Sequence, residues 1–240
     1  MIDLHLCESR EKAKRSILAG QVRVNGQQAK KPSDDVSPED TITVDAPEKY
    51  VSRGGHKLEY ALDEFKLNAN DLVAIDLGAS TGGFTDCLLQ RGAKKVYAVD
   101  VGHGQLAWKL RRDPRVVVME KVNARALTPE NFRKPFSGAQ IIVIDCSFIS
   151  LRKILPAAYG LLQPSGRIVA LVKPQFEAGK AEADKGAGVI TDPEVHGRVL
   201  KELRDFVTHE TTLQWRLQIE SPLLGPAGNK EFLVLLEKNA

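Results

Sequence analysis

Short apolar runs alternate with stretches of helical periodicity from position 56 onward. This alternation is the feature of the sequence that most narrows the possible folds, because strands that alternate with helices form a mostly parallel sheet with helices on both faces. The last two predicted strands have no helix between them, so we expect them to form a closing hairpin. The sequence therefore predicts an α/β domain with a seven-stranded sheet. The predicted helices cover residues 56–67, 83–90, 105–110, 151–161 and 193–208, and the predicted strands cover 72–77, 95–99, 116–119, 141–146, 167–172, 212–220 and 231–237.

The composition disfavours several classes of protein. A chain of 240 residues has room for one α/β domain and a small appendage. No apolar run approaches the roughly 18 residues that a membrane-spanning helix needs, and no signal peptide is recognisable. The three cysteines, Cys7, Cys87 and Cys146, have neither metal-ligand spacing nor the density of a disulfide framework. We therefore expect a cytoplasmic protein with no membrane partner and no metal, whose oligomeric state the composition does not indicate.

Residues 10–31 carry seven basic residues and one acidic residue, although the net charge of the whole chain is only +3. Ser9 is placed to begin a helix and Gly20 to end it, and residues 22–24 form a strand that runs into an Asn-Gly turn. On charge alone the segment also fits a solvated helix on a small α+β unit. The pattern resembles the RNA-binding S4 domain in the order Arg10-x-Lys12-Ala13-x-Arg15-x-Ile17-x-x-Gly20-x-Val22-x-Val24-Asn25-Gly26.

The resemblance to the S4 domain covers residues 1–46 and implies that the helix and the following turn present cations to RNA phosphates. The helix that usually opens such domains is mostly missing, so we expect a truncated form. Residues 47–55 are predicted to be a linker, since they contain a proline, a glycine pair and no periodicity. The second domain is expected to cover residues 56–240. The candidate RNA contacts in these first two segments are Arg10, Lys12, Lys14, Arg15, Arg23 and Arg53.

A glycine-rich turn joins the first predicted strand of the second domain to a helix. The strand ends at Asp76, and the turn contains Gly78, Gly82 and Gly83. Such a turn exposes backbone amides at the carboxyl edge of the sheet, where doubly wound folds bind ligands. Three enzyme classes use it. Ser80 occupies the place of the second glycine of a dinucleotide site, which disfavours a dehydrogenase.

The segment Gly78-Ala79-Ser80-Thr81-Gly82 also has the form of a hydrolase nucleophile elbow. The elbow strand normally follows several others, and no histidine lies in a loop after a late strand, so this class is disfavoured. The turn resembles the methyltransferase pattern Asp-x-Gly-x-x-x-Gly-Gly-Phe, which holds the amino-acid part of S-adenosylmethionine. Asp100, at the end of the next strand, is spaced to accept both ribose hydroxyls, and by resemblance Asn123 lies near adenine. The predicted cofactor residues are Asp76, Gly78, Ala79, Ser80, Gly82, Gly83, Phe84, Asp100 and Asn123.

Four charged residues occupy positions where an isolated charge is costly. Each has an ordinary explanation when taken singly, such as a surface lysine, a helix cap or an edge-strand carboxylate. Together they resemble the catalytic tetrad of the FtsJ-like 2′-O-ribose methyltransferases, and this resemblance extends from about Tyr50 through the rest of the domain. It implies a Rossmann-like class I methyltransferase fold and a ribose 2′-hydroxyl as acceptor. The tetrad positions are Lys57, Asp145, Lys173 and Glu231.

The order of the two domains strengthens the comparison. An S4-like unit in front of this domain resembles the TlyA family, which was named as hemolysins and is known for methylating ribosomal RNA. The resemblance implies S-adenosylmethionine as cofactor and ribosomal RNA or ribosomal subunits as partners. Two other functions stay open: an RNA-binding protein with an inactive enzyme domain, and a membrane-active hemolysin, for which the sequence offers no apolar span. The motifs that carry the resemblance are Ser52-Arg53-Gly54-Gly55-His56-Lys57-Leu58, Ile144-Asp145-Cys146-Ser147-Phe148-Ile149-Ser150, Val172-Lys173-Pro174-Gln175-Phe176-Glu177 and Gly228-Asn229-Lys230-Glu231-Phe232.

Lys173 is expected to face the acceptor hydroxyl in one of two forms. A neutral lysine would take the proton, whereas a charged lysine would stabilise the developing alkoxide while Asp145 orients it or accepts the proton. Burial favours the neutral form, and nearby carboxylates favour the charged form. Lys57 and Glu231 would hold the ribose and the network in place.

Residues 174–191 follow Lys173, are rich in Gly and Lys, and have no clear period. A loop of this length in a compact domain is usually functional or disordered. We expect this loop to close on RNA, with Lys180 and Lys185 contacting phosphates.

Overall fold

The computed structural model describes residues 1–45, 48–179, 182 and 186–239. The chain divides into two compact units, Met1–Lys49 and Tyr50–Ala240. The division lies within the segment 47–55 that the sequence suggested as a linker, so residues 50–55 belong with the second unit. Each unit is described below by itself.

The first unit is a helix beside a small antiparallel sheet. Helix α1 covers Arg10–Leu18, and the Ser9 hydroxyl accepts a hydrogen bond from the Lys12 amide at 3.2 Å, as expected of a helix cap. Strands β1 (Val22–Val24), β2 (Gln27–Gln28) and β3 (Ile42–Val44) follow in the spatial order β2-β1-β3. Among the described residues of this unit, only the apolar side chains of Ala13 and Val22 are buried. The core is therefore small, and most of the cations are exposed.

The second unit is built on one seven-stranded sheet. Its strands have the spatial order β6-β5-β4-β7-β8-β10-β9, and all neighbours are parallel except β10, which is antiparallel to both β8 and β9. The predicted mostly parallel sheet with a closing hairpin is confirmed. The strands are β4 (Val73–Leu77), β5 (Lys95–Asp100), β6 (Val116–Glu120), β7 (Ala139–Ile144), β8 (Leu162–Val172), β9 (Leu213–Glu220) and β10 (Phe232–Lys238).

Helices cover both faces of this sheet. In β7, Ile142 and Ile144 belong to one buried cluster while Ile141 and Val143 belong to another, as the two-residue period of a strand requires. Leu58, Leu62 and Leu88 of the helices on one side pack in the second cluster, and Leu155, Val199 and Leu203 pack in the first. The helices are α2 (Gly54–Glu64), α3 (Gly83–Gln90), α4 (Trp108–Arg111), α5 (Leu155–Leu161), α6 (Pro174–Glu177) and α7 (Pro193–Glu210).

Several predicted boundaries differ from the structure. Helix α4 begins at Trp108, not at residue 105, because the backbone at Ala107 is extended and its amide donates to the Thr81 carbonyl at 3.1 Å. Strand β7 ends at Ile144, so Asp145 and Cys146 follow the strand and do not belong to it. The predicted helix 151–161 is a 3-10 turn, Leu151–Lys153, followed by α5.

The strand order reverses beside β4. The chain runs outward from β4 through β5 to β6, and then returns to the other side of β4 as β7. Loops that leave the carboxyl ends of β4 and β7 therefore diverge, which is where doubly wound sheets form a ligand crevice. Gly78 follows β4 and Asp145 follows β7 at this point.

Candidate active site

The glycine-rich turn passes close to the loop that follows β7. A Cβ atom on Gly78 would lie 2.6 Å from the Asp145 carbonyl oxygen, and Gly78 has φ +86°. A Cβ atom on Gly82, which has φ +99°, would lie 2.2 Å from a methyl group of Leu110. Both positions therefore need glycine, for space and for backbone conformation. The amides of Gly78 and Ala79 donate to the Val99 carbonyl at 2.9 and 3.1 Å, which anchors the turn to β5.

Asp76 lies beneath this turn and has no exposed surface. Its Oδ2 accepts from the Thr85 hydroxyl of α3 at 2.6 Å, and its Oδ1 has no hydrogen-bond partner among the described residues. Burial raises the pKa of Asp76 to about 7, and the nearby Asp145 carboxylate acts in the same direction. Asp76 does not line either of the clefts described below.

A large cleft of about 540 Å³ opens at the carboxyl ends of β4, β5 and β6. Asp100 lines it and accepts from the Ser80 amide at 2.8 Å and the Gly102 amide at 2.7 Å. Asn123 also lines it, and its Oδ1 accepts from the Arg125 amide at 3.1 Å. The complete lining is Gly78, Ser80, Val99, Asp100, Val101, Gln105, Val122, Asn123, Ala124, Arg125, Asp145, Cys146, Ser147, Phe148, Ile149 and Ile154.

A small cleft of about 280 Å³ adjoins the large cleft. All four predicted tetrad residues line it, although they come from the beginning of α2, the ends of β7 and β8, and the residue before β10. The two clefts share Gly78, Ser80, Asp145 and Ser147 in their linings. The two clefts therefore adjoin along these four residues.

The tetrad consists of two ion pairs. Lys57 Nζ contacts Glu231 Oε2, and these side chains are 8% and 1% exposed. Lys173 Nζ lies 2.6 Å from Asp145 Oδ1, a charge contact that is not aligned as a hydrogen bond. Both lysines are buried, which is unusual for this residue type unless it is paired. The strand order explains the second pair, since β7 and β8 are neighbours in the sheet.

The structure brings most of the predicted cofactor residues to the clefts. Gly78, Ser80, Asp100 and Asn123 line the large cleft, and Ala79, Gly83 and Phe84 line the small one. Asp76 and Gly82 lie outside both linings, Asp76 at the end of β4 and Gly82 within the turn. Among the predicted RNA contacts, Arg53 lines the small cleft, whereas Lys180 and Lys185 lie outside the described residues.

Ser147 is a site residue for which the sequence suggested no role. Its hydroxyl accepts from Lys173 Nζ at 3.0 Å, and it lines both clefts. The signal was its position two residues after Asp145, within a motif already singled out. Serine is common in loops for other reasons, so the sequence alone does not indicate this contact. The role of Ser147 is recognised only from the position of Lys173 beside it in the structure.

The exposed cations of the first unit differ in their partners. Lys12 pairs with Glu8, and Arg23 pairs with Asp45 at 2.9 Å. Arg10, Lys14 and Arg15 are exposed and have no ion pair within the described part of this unit. These three side chains are therefore available to an anionic partner.

Comparison with known proteins identifies the same two domain families that the sequence resembles. The profile of the family described as FtsJ-like methyltransferase matches residues 50–238, and that of the S4 domain matches residues 3–42. YqxC of Bacillus subtilis, provisionally named an rRNA methyltransferase, is 50% identical over 237 residues, which cover 98% of this chain and 83% of YqxC. The Mycobacterium tuberculosis 16S/23S rRNA (cytidine-2′-O)-methyltransferase TlyA is 45% identical over 96% of this chain and 85% of its own length.

A solved structure from Streptococcus thermophilus, provisionally named a hemolysin, superimposes with a TM-score of 0.78 at 45% identity. It covers 98% of this chain, and the match covers 84% of that chain. Within the described residues, none of the helices combines the length and apolar character needed to cross a membrane.

Proposed function

The chain belongs to the FtsJ-like methyltransferases and, within them, to the TlyA proteins, and on this basis we propose that it transfers a methyl group from S-adenosylmethionine to a ribose 2′-hydroxyl of ribosomal RNA. The observation that carries this proposal is the Lys-Asp-Lys-Glu cluster in the small cleft, in which the two lysines and the glutamate are buried and which shares part of its wall with the large cleft. Ribosomal RNA as substrate implies a cytoplasmic enzyme.

The large cleft suits S-adenosylmethionine in size and in chemistry. Its volume of about 540 Å³ lies in the range of small-molecule sites. The Asp100 carboxylate has acceptor capacity beyond the two amides that it binds, so it can also accept from ribose hydroxyls. The Asn123 Nδ2 atom has no partner among the described residues and is available to adenine. When bound, S-adenosylmethionine supplies an electrophilic methyl group on a sulfonium sulfur.

Lys173 is placed to stabilise negative charge on the acceptor oxygen. Its ammonium group donates to the Ser147 hydroxyl and lies 2.6 Å from Asp145 Oδ1 in a charge contact that is not aligned as a hydrogen bond. An N–H that does not bind Ser147 is available to the ribose 2′-oxygen, where charge develops as the hydroxyl proton leaves. Because a charged Lys173 has no free lone pair, we assign the proton to the Asp145 carboxylate, which lines the same cleft.

Lys57 and Glu231 position the acceptor. Glu231 Oε1 is buried and has no hydrogen-bond partner among the described residues, while Oε2 contacts Lys57. An unsatisfied buried carboxylate oxygen is costly unless a ligand donates to it. A ribose hydroxyl in the small cleft is a donor of the required kind.

Two features favour RNA over other acceptors. The S4 domain profile matches the unit that carries the exposed cations Arg10, Lys14 and Arg15, and exposed cations bind nucleic-acid phosphates with little regard to sequence. A 2′-hydroxyl exists in RNA and not in DNA. Arg53, in the wall of the small cleft, is suited to hold a phosphate of the acceptor strand.

The proposal is tested with radiolabelled S-adenosylmethionine and purified ribosomal RNA or ribosomal subunits, followed by mapping of ribose methylation. We expect wild-type protein to label ribose 2′-oxygens, Lys173→Ala to lose this activity, and Lys201→Ala to retain it. Lys201 is a matched control because its side chain is 78% exposed and pairs only with Asp205 on α7. Absence of transfer by the wild type to every ribosomal RNA and subunit tested would refute the proposal.

A further inference from the structure

Two loops leave neighbouring strands and begin with tetrad residues. The β7 loop (residues 145–153) begins with Asp145, and the β8 segment (residues 173–178) begins with Lys173. The ion pair at their beginnings belongs to the proposed catalytic machinery. Beyond Ser147 and Lys173, the residues of the two loops have no part in the mechanism above, although both loops lie in the motifs that the sequence singled out.

Two further contacts join the loops beyond the ion pair. The rings of Phe148 and Phe176 have centroids 5.2 Å apart, one step farther along each loop. The Glu177 carboxylate then accepts from the Ser150 hydroxyl at 2.6 Å and from the Leu151 amide at 2.7 Å. The loops are thus connected at their beginning, middle and end.

Glu177 forms the terminal connection with both of its oxygens. Oε2 binds Ser150 and Oε1 binds Leu151, so the carboxylate also caps the 3-10 turn that begins at Leu151. The side chain is largely buried, and burial raises its pKa above the usual range. A buried carboxylate lowers the stability of the fold unless its hydrogen bonds offset the lost hydration. The two hydrogen bonds from the β7 loop provide this compensation for Glu177.

The backbone between the connections is held in an unfavourable conformation. Phe148 has φ +62°, in the left-handed region that bulky residues rarely adopt, and its side chain is 90% exposed. Strain of this kind persists only where the surrounding structure fixes both ends of the segment. Ser147, which bonds Lys173, lies immediately before this residue.

From these contacts we propose that Glu177 is a positioning residue, which fixes the end of the β7 loop so that Ser147 and Asp145 stay in contact with Lys173. Glu177 lines neither cleft, so it acts on the reaction only through this network. The inference rests on the proposed function, and it assigns to the Lys-Pro-Gln-Phe-Glu motif a role in catalytic rate, not in binding. Loss of Glu177 frees the β7 loop and lets Ser147 move away from the lysine.

The test compares Glu177→Ala, Glu177→Gln and Ser150→Ala with wild type and with Glu237→Gln. Glu237 is the matched control, since it is a partly buried carboxylate on β10 that pairs with Arg216 of β9 and lines neither cleft. Single-turnover methyl transfer to ribosomal RNA gives the chemical step, calorimetry gives the dissociation constant for S-adenosylmethionine, and thermal denaturation monitors folding. The Glu177→Gln and Ser150→Ala variants keep the test available if Glu177→Ala does not fold.

We expect the single-turnover rate of Glu177→Ala to fall about tenfold to 100-fold, with the cofactor dissociation constant within about twofold of wild type. Glu177→Gln, which keeps one carbonyl acceptor, should recover part of the rate, and Ser150→Ala should lower it severalfold. Glu237→Gln should match wild type. A Glu177→Ala protein that transfers methyl groups at the wild-type rate, or that loses rate only in proportion to cofactor binding, would overturn the proposal.

A second readout does not require RNA. In protein labelled with ¹³C at lysine Cε, the resonance assigned to Lys173 by its absence in Lys173→Ala should move in Glu177→Ala and not in Glu237→Gln. An unchanged Lys173 resonance in folded Glu177→Ala contradicts the positioning role, whether or not the wild type methylates RNA. Failure of the proposed function is recognised separately, as absence of transfer by the wild type.

Discussion

Lys57 and Glu231 lie 174 positions apart in the sequence and form an ion pair that is almost completely removed from solvent. The lysine comes from the first turn of α2 and the glutamate directly precedes β10. The pair thus joins the first helix of the second unit to the segment before its last described strand. The pair therefore contributes both to the small cleft and to the integrity of the domain.

We expect Lys57→Met to lower the free energy of unfolding by about 3–5 kcal/mol, because it leaves Glu231 as an uncompensated buried charge. The double variant Lys57→Met/Glu231→Leu should regain most of this loss while remaining inactive. Urea denaturation and methyl transfer measure the two effects. As a control, Lys201→Met should change stability by less than about 1 kcal/mol, because its ion pair is exposed. A double variant no more stable than the single one would show that the charge is not the cause.

Ser147→Ala should lower kcat by about tenfold and leave the cofactor dissociation constant unchanged. The reason is the loss of one hydrogen bond to a charged donor, which is worth roughly 1.5 kcal/mol. Ser147→Thr keeps a hydroxyl and should retain most of the activity. The measurement is steady-state methyl transfer at saturating S-adenosylmethionine. If alanine and threonine give equal rates, the hydroxyl has no role in holding Lys173.

Asp76 should make the stability of the ligand-free protein depend on pH. Its pKa is raised to about 7 in the folded protein, whereas an unfolded aspartate titrates near 3.9. Between these values the folded state holds a proton that the unfolded state has released, so stability falls as pH rises from about 4 to about 7. The full effect is on the order of 4 kcal/mol, since one pKa unit corresponds to about 1.4 kcal/mol. Denaturation across this range should show a steeper fall in stability for wild type than for Asp76→Asn.

Asp100→Ala should weaken binding of S-adenosylmethionine by about tenfold to 100-fold, because the ribose hydroxyls and two loop amides lose their acceptor. Asp100→Asn keeps one acceptor for the amides and separates support of the loop from contact with the ribose. Calorimetric titration measures the affinity, and RNA binding by filter retention serves as the control that should not change. Equal cofactor affinity in wild type and Asp100→Ala would remove Asp100 from the site.

Arg10→Gln and Lys14→Gln should each reduce the salt dependence of RNA binding. Every phosphate contact that is lost lowers the slope of log K against log salt by about one, so the double variant should lose about two. Lys201→Gln is the control, because Lys201 lies on α7 of the second unit and pairs with Asp205. A slope that stays constant in the double variant would place the RNA surface elsewhere.

The fold could be predicted because period-2 and period-3.6 patterns are local. The positions of Asp145 and Lys173 at strand ends were predictable for the same reason, but their pairing depends on β7 and β8 being neighbours, which no local pattern states. The burial of Asp76 follows from alternation along β4, since Ile75 and Leu77 pack in one cluster and Asp76 faces Thr85 of α3. Helix α4 was predicted too long because the bond from Ala107 to Thr81 is a tertiary contact.

Strand β10 is the last strand in sequence, yet it lies between β8 and β9 in the sheet. During synthesis, β9 therefore emerges without the neighbour that will join it to the rest of the sheet, and β8 keeps one side open until β10 arrives. Glu231, which completes the tetrad, is made just before that strand. All four tetrad residues are therefore present only after residue 231 has been synthesised, whereas the exposed cations of the first unit belong to the earliest part of the chain to be made.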